Sequence, residues 1–156
     1  MQPWAEALTK ERMTGAHAGE RPDANCIPVG VPQSYTFPEP VKVIQEPDLV
    51  VILYEIFGTF RQIFLDGRTL PKDPNPTWLG YSVGRWAGDV LVVDTTGFNG
   101  KKWLDVMGHP TTDALHIIER FRPWTVTFLM QLLADTELLE YVCNENEKDL
   151  KHLLGK

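Results

Sequence analysis

Two pairs of side chains in this sequence have the residue types that acid–base chemistry needs. Glu55 and Glu119 each fall in a strand-like segment, on the same side as apolar residues. Two carboxylates in one pocket can act as acid and base, as in sugar hydrolysis. The second pair is Asp105 and His109, in which the carboxylate would orient the imidazole as a general base. The residues suggest hydrolysis of a glycoside or an ester, while the alternative for His109 is a local hydrogen bond in a surface turn.

Period-two alternation places several polar side chains on apolar faces of predicted strands. Gln62, for example, is predicted to share a face with Phe60 and Phe64. A buried unpaired carboxylate costs several kcal/mol, so each acidic member must be paired, protonated or hydrated. Internal ion pairs, such as Arg85 with Glu119, are one interpretation, and they would belong to a structural or interaction module. The other interpretation is a polar-lined cavity for a small ligand. The residues predicted to face inward are Glu55, Gln62, Arg85, Glu119 and Glu140.

The candidate ligand-binding residues combine part of this set with two aromatic side chains. Aromatic rings can stack on a ligand, although core packing accounts for most tryptophans in proteins. The expected ligand is a small organic molecule or a carbohydrate. The candidate residues are Arg85, Gln62, Tyr81, Trp103 and Glu140.

Metal and nucleotide motifs are absent from the sequence. The four histidines form no HxH or HExxH pattern, and no GxGxxG or Walker pattern occurs. We therefore predict no metal site and no cofactor. The two cysteines, Cys26 and Cys143, are far apart in sequence, and they are interpreted either as two buried thiols or as one disulfide.

Composition excludes several classes of protein. The 156 residues fit one domain, and 43% of them are hydrophobic, which is enough for a folded core. The net charge is −6, from 15 Lys and Arg against 21 Asp and Glu, and no basic run occurs. These features argue against nucleic-acid binding and against docking on anionic membranes. No apolar stretch reaches the roughly 18 residues of a membrane span, and the oligomeric state is left open.

The pattern along the chain predicts a mainly β protein. Residues 3–14 are predicted to form a short helix, and residues up to 40 a Pro-rich arm that packs on the body. Residues 41–156 are predicted to form an antiparallel β domain within a single-domain protein, with a short charged helix at 145–154. Because most connections are short, we expect a meander closed into a small, lipocalin-like barrel or folded into a sandwich. The predicted strands are 41–45, 49–55, 60–65, 81–86, 90–95, 115–122, 124–129 and 136–143.

Several phrases of the sequence occur together and in order. They include RQIFLDGR at 61–68, GYSVGRW at 80–86 and EYVCNEN at 140–146. In these motifs the chain resembles a family of exported, uncharacterised bacterial proteins over nearly its whole length. No activity and no catalytic residue can be carried over to this chain from the resemblance.

The resemblance does imply a cellular location and a disulfide bond. A family of exported proteins implies a periplasmic or secreted protein, and export favours the disulfide between Cys26 and Cys143. The sequence alone leaves a cytosolic protein open as well. The chain also departs from the family, which carries a further hairpin where Arg122 here runs directly into Pro123. That departure would remove two strands from the predicted barrel.

Overall fold

The structure is a computed structural model that describes residues 1–122. Three predicted elements lie outside the described residues: the strands at 124–129 and 136–143 and the helix at 145–154. Glu140 and Cys143 also lie outside them, so the ligand role of Glu140 and the disulfide of Cys26 with Cys143 stay predictions.

A short helix, α1, spans Pro3–Met13, one residue shorter than predicted. Proline suits the first turn of a helix because its missing N–H has no partner there. At the other end, the Arg12 guanidinium lies 4.7 Å from the centre of the Trp103 ring and donates a hydrogen bond of 2.8 Å to the Gly108 carbonyl. These contacts attach the C-terminal turn of α1 to the loop that contains the predicted Asp105–His109 pair.

The segment after α1 runs over the inner face of a β-sheet. It contains three short 3-10 turns, the last of which is Gln33–Tyr35. Val29 and Val31 are each 1% exposed, and Val29 belongs to the main hydrophobic cluster of the sheet. Residues 28–35 therefore form a cover over the strands that carry the candidate site.

Six strands form one sheet in the order β1-β2-β3-β4-β5-β6. Two-residue turns join β1 to β2, through Pro47 and Asp48, and β4 to β5, through Gly88 and Asp89. Gly88 has a φ of +64°, which glycine adopts at little cost, and the turn signal predicted this hairpin. The strands are β1 Val41–Glu46, β2 Leu49–Tyr54, β3 Thr59–Phe64, β4 Tyr81–Ala87, β5 Val90–Thr96 and β6 Ile117–Phe121.

The predicted antiparallel meander is wrong between β3 and β4, which pair in parallel. A parallel connection needs a crossover of about a dozen or more residues. Residues 65–80 supply it, and Pro71, Pro74 and Pro76 keep this crossover from forming a strand of its own, because proline lacks the N–H of a ladder. The sheet is therefore mixed.

Closure into a barrel is not confirmed. In residues 1–122 the sheet is open, with β1 and β6 at opposite ends of the strand order. All six residues of β1 are exposed. No helix in this part of the chain is long and apolar enough to cross a membrane.

The core lies on the inner face of the sheet. Two side chains that were predicted to face inward are exposed instead. Ile63 is fully buried, whereas Gln62, predicted to face inward, is exposed. Arg85 is also exposed, because the inward positions of β4 are those of Ser82 and Gly84. Glu119 does face inward, as predicted. The buried hydrophobic cluster consists of Val29, Val50, Ile52, Tyr54, Ile56, Ile63, Leu91 and Val93.

Candidate functional site

A cleft of about 680 Å³ opens where β3 and β4 separate. The ladder between these strands has two residue pairs, which begin at Ile63 and Ser82. If this register continued toward the N-terminal ends of both strands, it would pair Thr59–Gln62 with Trp78–Tyr81. These two stretches instead form the walls of the cleft. The cleft is thus a gap in the sheet, and the edge of β3 that faces it offers backbone groups outside the β3–β4 ladder.

The walls of the cleft are mostly apolar and aromatic. Phe60 is 58% exposed at the surface, and Trp78 and Tyr81 are half-buried. A concave, mostly apolar site with a few polar groups is the usual form of a small-molecule pocket. The apolar side chains of the lining are Pro28, Phe60, Phe64, Trp78, Leu79 and Tyr81.

The wall formed by Thr77–Tyr81 is held in place by its own contacts. The Thr77 N–H donates to the Gly97 carbonyl at 2.9 Å, and the Thr77 carbonyl accepts from the Asn99 N–H at 2.9 Å. Gly80 has a φ of +71°, and a Cβ there would lie 2.7 Å from the Thr96 carbonyl oxygen. Only glycine lets the chain pass so close to the end of β5, so this wall is preformed.

Two residues of the cleft lining have a hydroxyl group without a partner. The Thr59 and Thr77 hydroxyls are buried and have no hydrogen bond among the described residues. They come from opposite walls, Thr59 from β3 and Thr77 from the segment before β4. A buried polar group without a partner costs about 1–3 kcal/mol, so both hydroxyls would gain from an incoming donor or acceptor.

Arg61 lies at the floor of the cleft and is 2% exposed. Its guanidinium forms an ion pair with Glu119, whose side chain is 10% exposed. It also donates to the Ser82 hydroxyl at 3.0 Å and to the Thr95 hydroxyl at 2.8 Å. The Tyr35 hydroxyl accepts from Arg61 at 3.3 Å and donates to Glu119. Arg61 therefore connects β3 with β4, β5, β6 and the covering segment.

Burial and the ion pair set the ionisation of this cluster. Burial lowers the pKa of Arg61, but the hydrogen bonds and charge of Glu119 outweigh it, so the pKa stands above its ordinary value. Burial, and then the hydrogen bond to Glu119, raise the pKa of Tyr35. Glu119 is thus the counter-ion of Arg61. The acid–base role of Glu119 with Glu55 stays a prediction.

Lys102 is a second buried cation, 3% exposed, beside this cluster. Its ammonium lies 4.5 Å from the centre of the Phe98 ring and donates to the Val31 carbonyl at 3.4 Å. A Cβ on Gly30 would come within 1.8 Å of the Lys102 Nζ, so the glycine allows this approach. Burial, and then the charge of Arg61, lower the pKa of Lys102 to about 8.

The predicted pair Asp105 and His109 is brought together in the loop after β5. The His109 Nδ1 lies 2.6 Å from an Asp105 carboxylate oxygen. The other Asp105 oxygen accepts the backbone N–H groups of Met107, at 2.9 Å, and His109, at 3.4 Å. Both side chains are about one-third exposed, at 34% and 29%. The carboxylate thus fixes both the loop and the orientation of the imidazole.

The other predicted residues are distributed over four places. Gln62 and Tyr81 line the cleft. Arg85 lies on the opposite, outer face of the sheet from Glu119, so the predicted ion pair between them is wrong. Trp103 is 8% exposed beneath Arg12 of α1 and lines a separate pocket with it, so its ligand role stays a prediction. Glu55 follows the end of β2 at a 3-10 turn, outside the strand to which it was assigned.

Sequence reasoning missed Arg61, Tyr35 and Lys102. Arg61 alternates with Ile63, and the larger apolar residues Phe60 and Phe64 favoured the wrong face of β3. Arg61 could have been found from Glu119. A carboxylate that faces inward needs a buried cation as its partner, and Arg61 is a cation on an inward-facing position of β3. No such signal exists for Lys102, because its burial depends on the distant covering segment.

Comparisons of the chain with protein-family models, with curated proteins and with solved structures found no significant match. The resemblance to exported bacterial proteins therefore stays a prediction, as does the periplasmic or secreted location. In the part of the chain that the structure describes, no three His, Cys, Asp or Glu side chains are placed to hold a metal ion.

Proposed function

We propose that this protein binds a small organic molecule in the cleft between β3 and Thr77–Tyr81. The observation that carries the proposal is the preformed aromatic cleft of about 680 Å³ with two unpartnered buried hydroxyls. A planar ring would pack between Phe60, Trp78 and Tyr81, and a hydroxyl or carbonyl on that ring would pair with Thr59 or Thr77. A volume of this size is within the usual range for small-molecule sites.

The aromatic wall is tested by Phe60→Ala. Phe60 is 58% exposed, so its truncation should leave the fold intact. We expect phenol and indole, titrated by ligand-observed NMR, to bind the wild type and to bind the variant about tenfold more weakly, because ring burial is lost. Glucose, titrated in parallel, tests for a carbohydrate ligand instead.

The matched control is Trp86→Ala, because Trp86 is 49% exposed and lies outside the cleft. It should leave the phenol affinity unchanged. Equal weakening in both variants, or no saturable binding of any of the three probes, would reject the cleft as a ligand site.

The hydroxyl of Thr77 gives a second test. Thr77→Val removes the unpartnered hydroxyl with little change of shape, so we expect stability to stay the same or to rise by up to about 1 kcal/mol. Phenol binding should weaken while toluene binding should not, since toluene has no hydroxyl to pair. Equal effects on both probes would show that Thr77 acts only through packing.

A second candidate function is ester or glycoside hydrolysis with His109 as general base. The 2.6 Å contact to Asp105 favours it, because a carboxylate on Nδ1 leaves Nε2 as the basic nitrogen. Turnover of p-nitrophenyl acetate and p-nitrophenyl glucoside should then disappear in His109→Ala. His116→Ala is the matched control, since His116 contacts Asp94 at 2.5 Å on the outer face of the sheet. No turnover by the wild type, or equal rates in both variants, would rule this function out for these substrates.

A further inference from the structure

Three arginines line a separate cavity of about 480 Å³ on the outer face of β4, β5 and β6. Two of them are fixed by strand register. Arg85 lies opposite Val92, and Val92 lies opposite Arg120. Directly opposed residues share a face of the sheet, and neighbouring strands are about 4.8 Å apart. Arg85 and Arg120 thus flank Val92 at about 10 Å from each other, a distance that two arginine side chains can close over one small ligand.

The third arginine, Arg68, approaches from the crossover after β3. Its guanidinium lies 3.8 Å from the centre of the Phe64 ring and pairs with Asp66. Both contacts hold the side chain in place, and the hydrogen bonds and charge of Asp66 raise the pKa of Arg68 despite an opposing burial effect. Arg68 is therefore a fixed wall of the cavity, and part of its charge is already balanced.

Arg85 and Arg120 differ from Arg68 because their charge is not balanced. Among residues 1–122, neither guanidinium has a side-chain hydrogen bond or an ion pair. The acidic residue in the cavity lining is Asp94, which lies two residues after Val92 along β5. Its carboxylate contacts His116 at 2.5 Å. The cavity thus carries two unpaired guanidinium groups in a chain whose net charge is −6.

We propose that this cavity is an oxyanion site that takes a small dianion, either a phosphate group or a dicarboxylate. Guanidinium groups bind such groups through paired N–H···O bonds, which are shorter and stronger than bonds between neutral groups. Arg85 and Arg120 supply two such planar groups from opposite sides of Val92, and two charges match a dianion. The site uses a different chemistry from the cleft, although Arg68 lines both and the two adjoin along β4.

The experiment is a calorimetric titration of the full chain with inorganic phosphate, succinate and acetate at constant ionic strength. We expect saturable binding of phosphate or succinate and at least tenfold weaker binding of acetate. Arg85→Gln and Arg120→Gln should each weaken the dianion about tenfold, because each removes a pair of charge-assisted hydrogen bonds. The two productive probes separate the sources of the ligand: a preference for phosphate indicates a phosphorylated compound, and a preference for succinate a dicarboxylic acid.

The matched control is Lys101→Gln, which removes one exposed positive charge outside the cavity. It should leave dianion binding unchanged. Arg85→Lys keeps the charge but loses the planar fork, so it should retain less affinity than the wild type and more than Arg85→Gln. Circular dichroism checks that each variant is folded, as expected for exposed side chains.

The proposal is overturned if no dianion binds saturably, or if Lys101→Gln weakens binding as much as the arginine variants do. Equal affinities for acetate and succinate would overturn the dianion specificity. Because Phe60→Ala leaves this cavity intact, failure of the cleft as a ligand site would not affect the result here.

Discussion

Arg61 shows how a single residue joins the separate parts of the structure. It has five N–H groups, and its five hydrogen bonds go to Ser82, Thr95, Tyr35 and the two oxygens of Glu119. A guanidinium that is fully paired in this way is costly to remove on its own, because its buried partners then lose their donors.

We expect Arg61→Met to reduce the free energy of unfolding by about 3–5 kcal/mol, since it leaves the Glu119 carboxylate buried without a cation. The double variant Arg61→Met with Glu119→Met should lose less than the sum of the two single variants. Urea denaturation of all four proteins gives the coupling energy. Additivity within about 0.5 kcal/mol would show that the ion pair carries no coupling of its own.

Lys102 makes stability depend on pH in the alkaline range. Burial lowers the pKa of Lys102 from its ordinary value of 10.5 to about 8 in the folded protein. Below pH 8 the folded state must hold a buried charge, so Lys102 opposes folding there by on the order of 3 kcal/mol. Between about pH 8 and 10.5 the unfolded chain binds more protons than the folded one, and stability rises with pH by linkage.

Lys102→Met should therefore be more stable than the wild type at pH 7, and the difference should shrink as the pH rises from about 8 to 10.5. Thermal or urea unfolding of both proteins across this range measures the difference directly. A gap that stays constant with pH would contradict a lowered pKa of Lys102.

The residue-scale predictions from sequence succeeded where the relevant distance along the chain is short. Asp105 and His109 are four positions apart in one loop, and they meet. The predicted ion pair of Arg85 with Glu119 depended on the faces of β4 and β6, two strands that are not neighbours in the sheet. The alternation in β3 favoured Gln62 over Arg61, because that strand has apolar residues on both faces and its direction depends on the covering segment.

At the scale of elements, the same contrast appears. Turn signals in the sequence predicted both hairpins and placed the ends of the six described strands within two residues, since a hairpin is determined by neighbouring residues. The parallel pairing of β3 with β4 depends instead on how residues 65–80 cross the sheet. Nothing in the two strands themselves distinguishes a parallel neighbour from an antiparallel one.

Two glycines beside β4 should respond differently to alanine. Gly88, in the β4–β5 turn, has a positive φ and no atom within 4 Å of a Cβ position, so Gly88→Ala should cost about 1 kcal/mol from backbone strain alone. Gly80→Ala adds a contact of 2.7 Å with the Thr96 carbonyl, so we expect about 3 kcal/mol and weaker phenol binding, because the cleft wall must move. Chemical denaturation and the phenol titration test both effects. Equal losses would mean that the wall can shift freely.

At the scale of the whole molecule, charge and shape are distributed unevenly. The chain carries a net charge of −6, yet its outer sheet face gathers Arg68, Arg85 and Arg120 around one cavity. The cleft lies beside this cavity, and Arg68 lines both. The sheet thus presents an aromatic site and a cationic site next to each other, which composition alone does not reveal.

The parallel pairing has a consequence for how the protein opens. It divides the sheet into two three-stranded antiparallel units, β1–β3 and β4–β6, whose shared ladder has only two residue pairs, and Arg61 and the hydrophobic cluster also connect them. Native proteins open locally in cooperative units of this kind. Amide hydrogen exchange should therefore show two protection levels, one for each unit, and a molecule bound in the cleft should bring them together by spanning the junction. Uniform protection across all six strands would indicate that the sheet opens as one body.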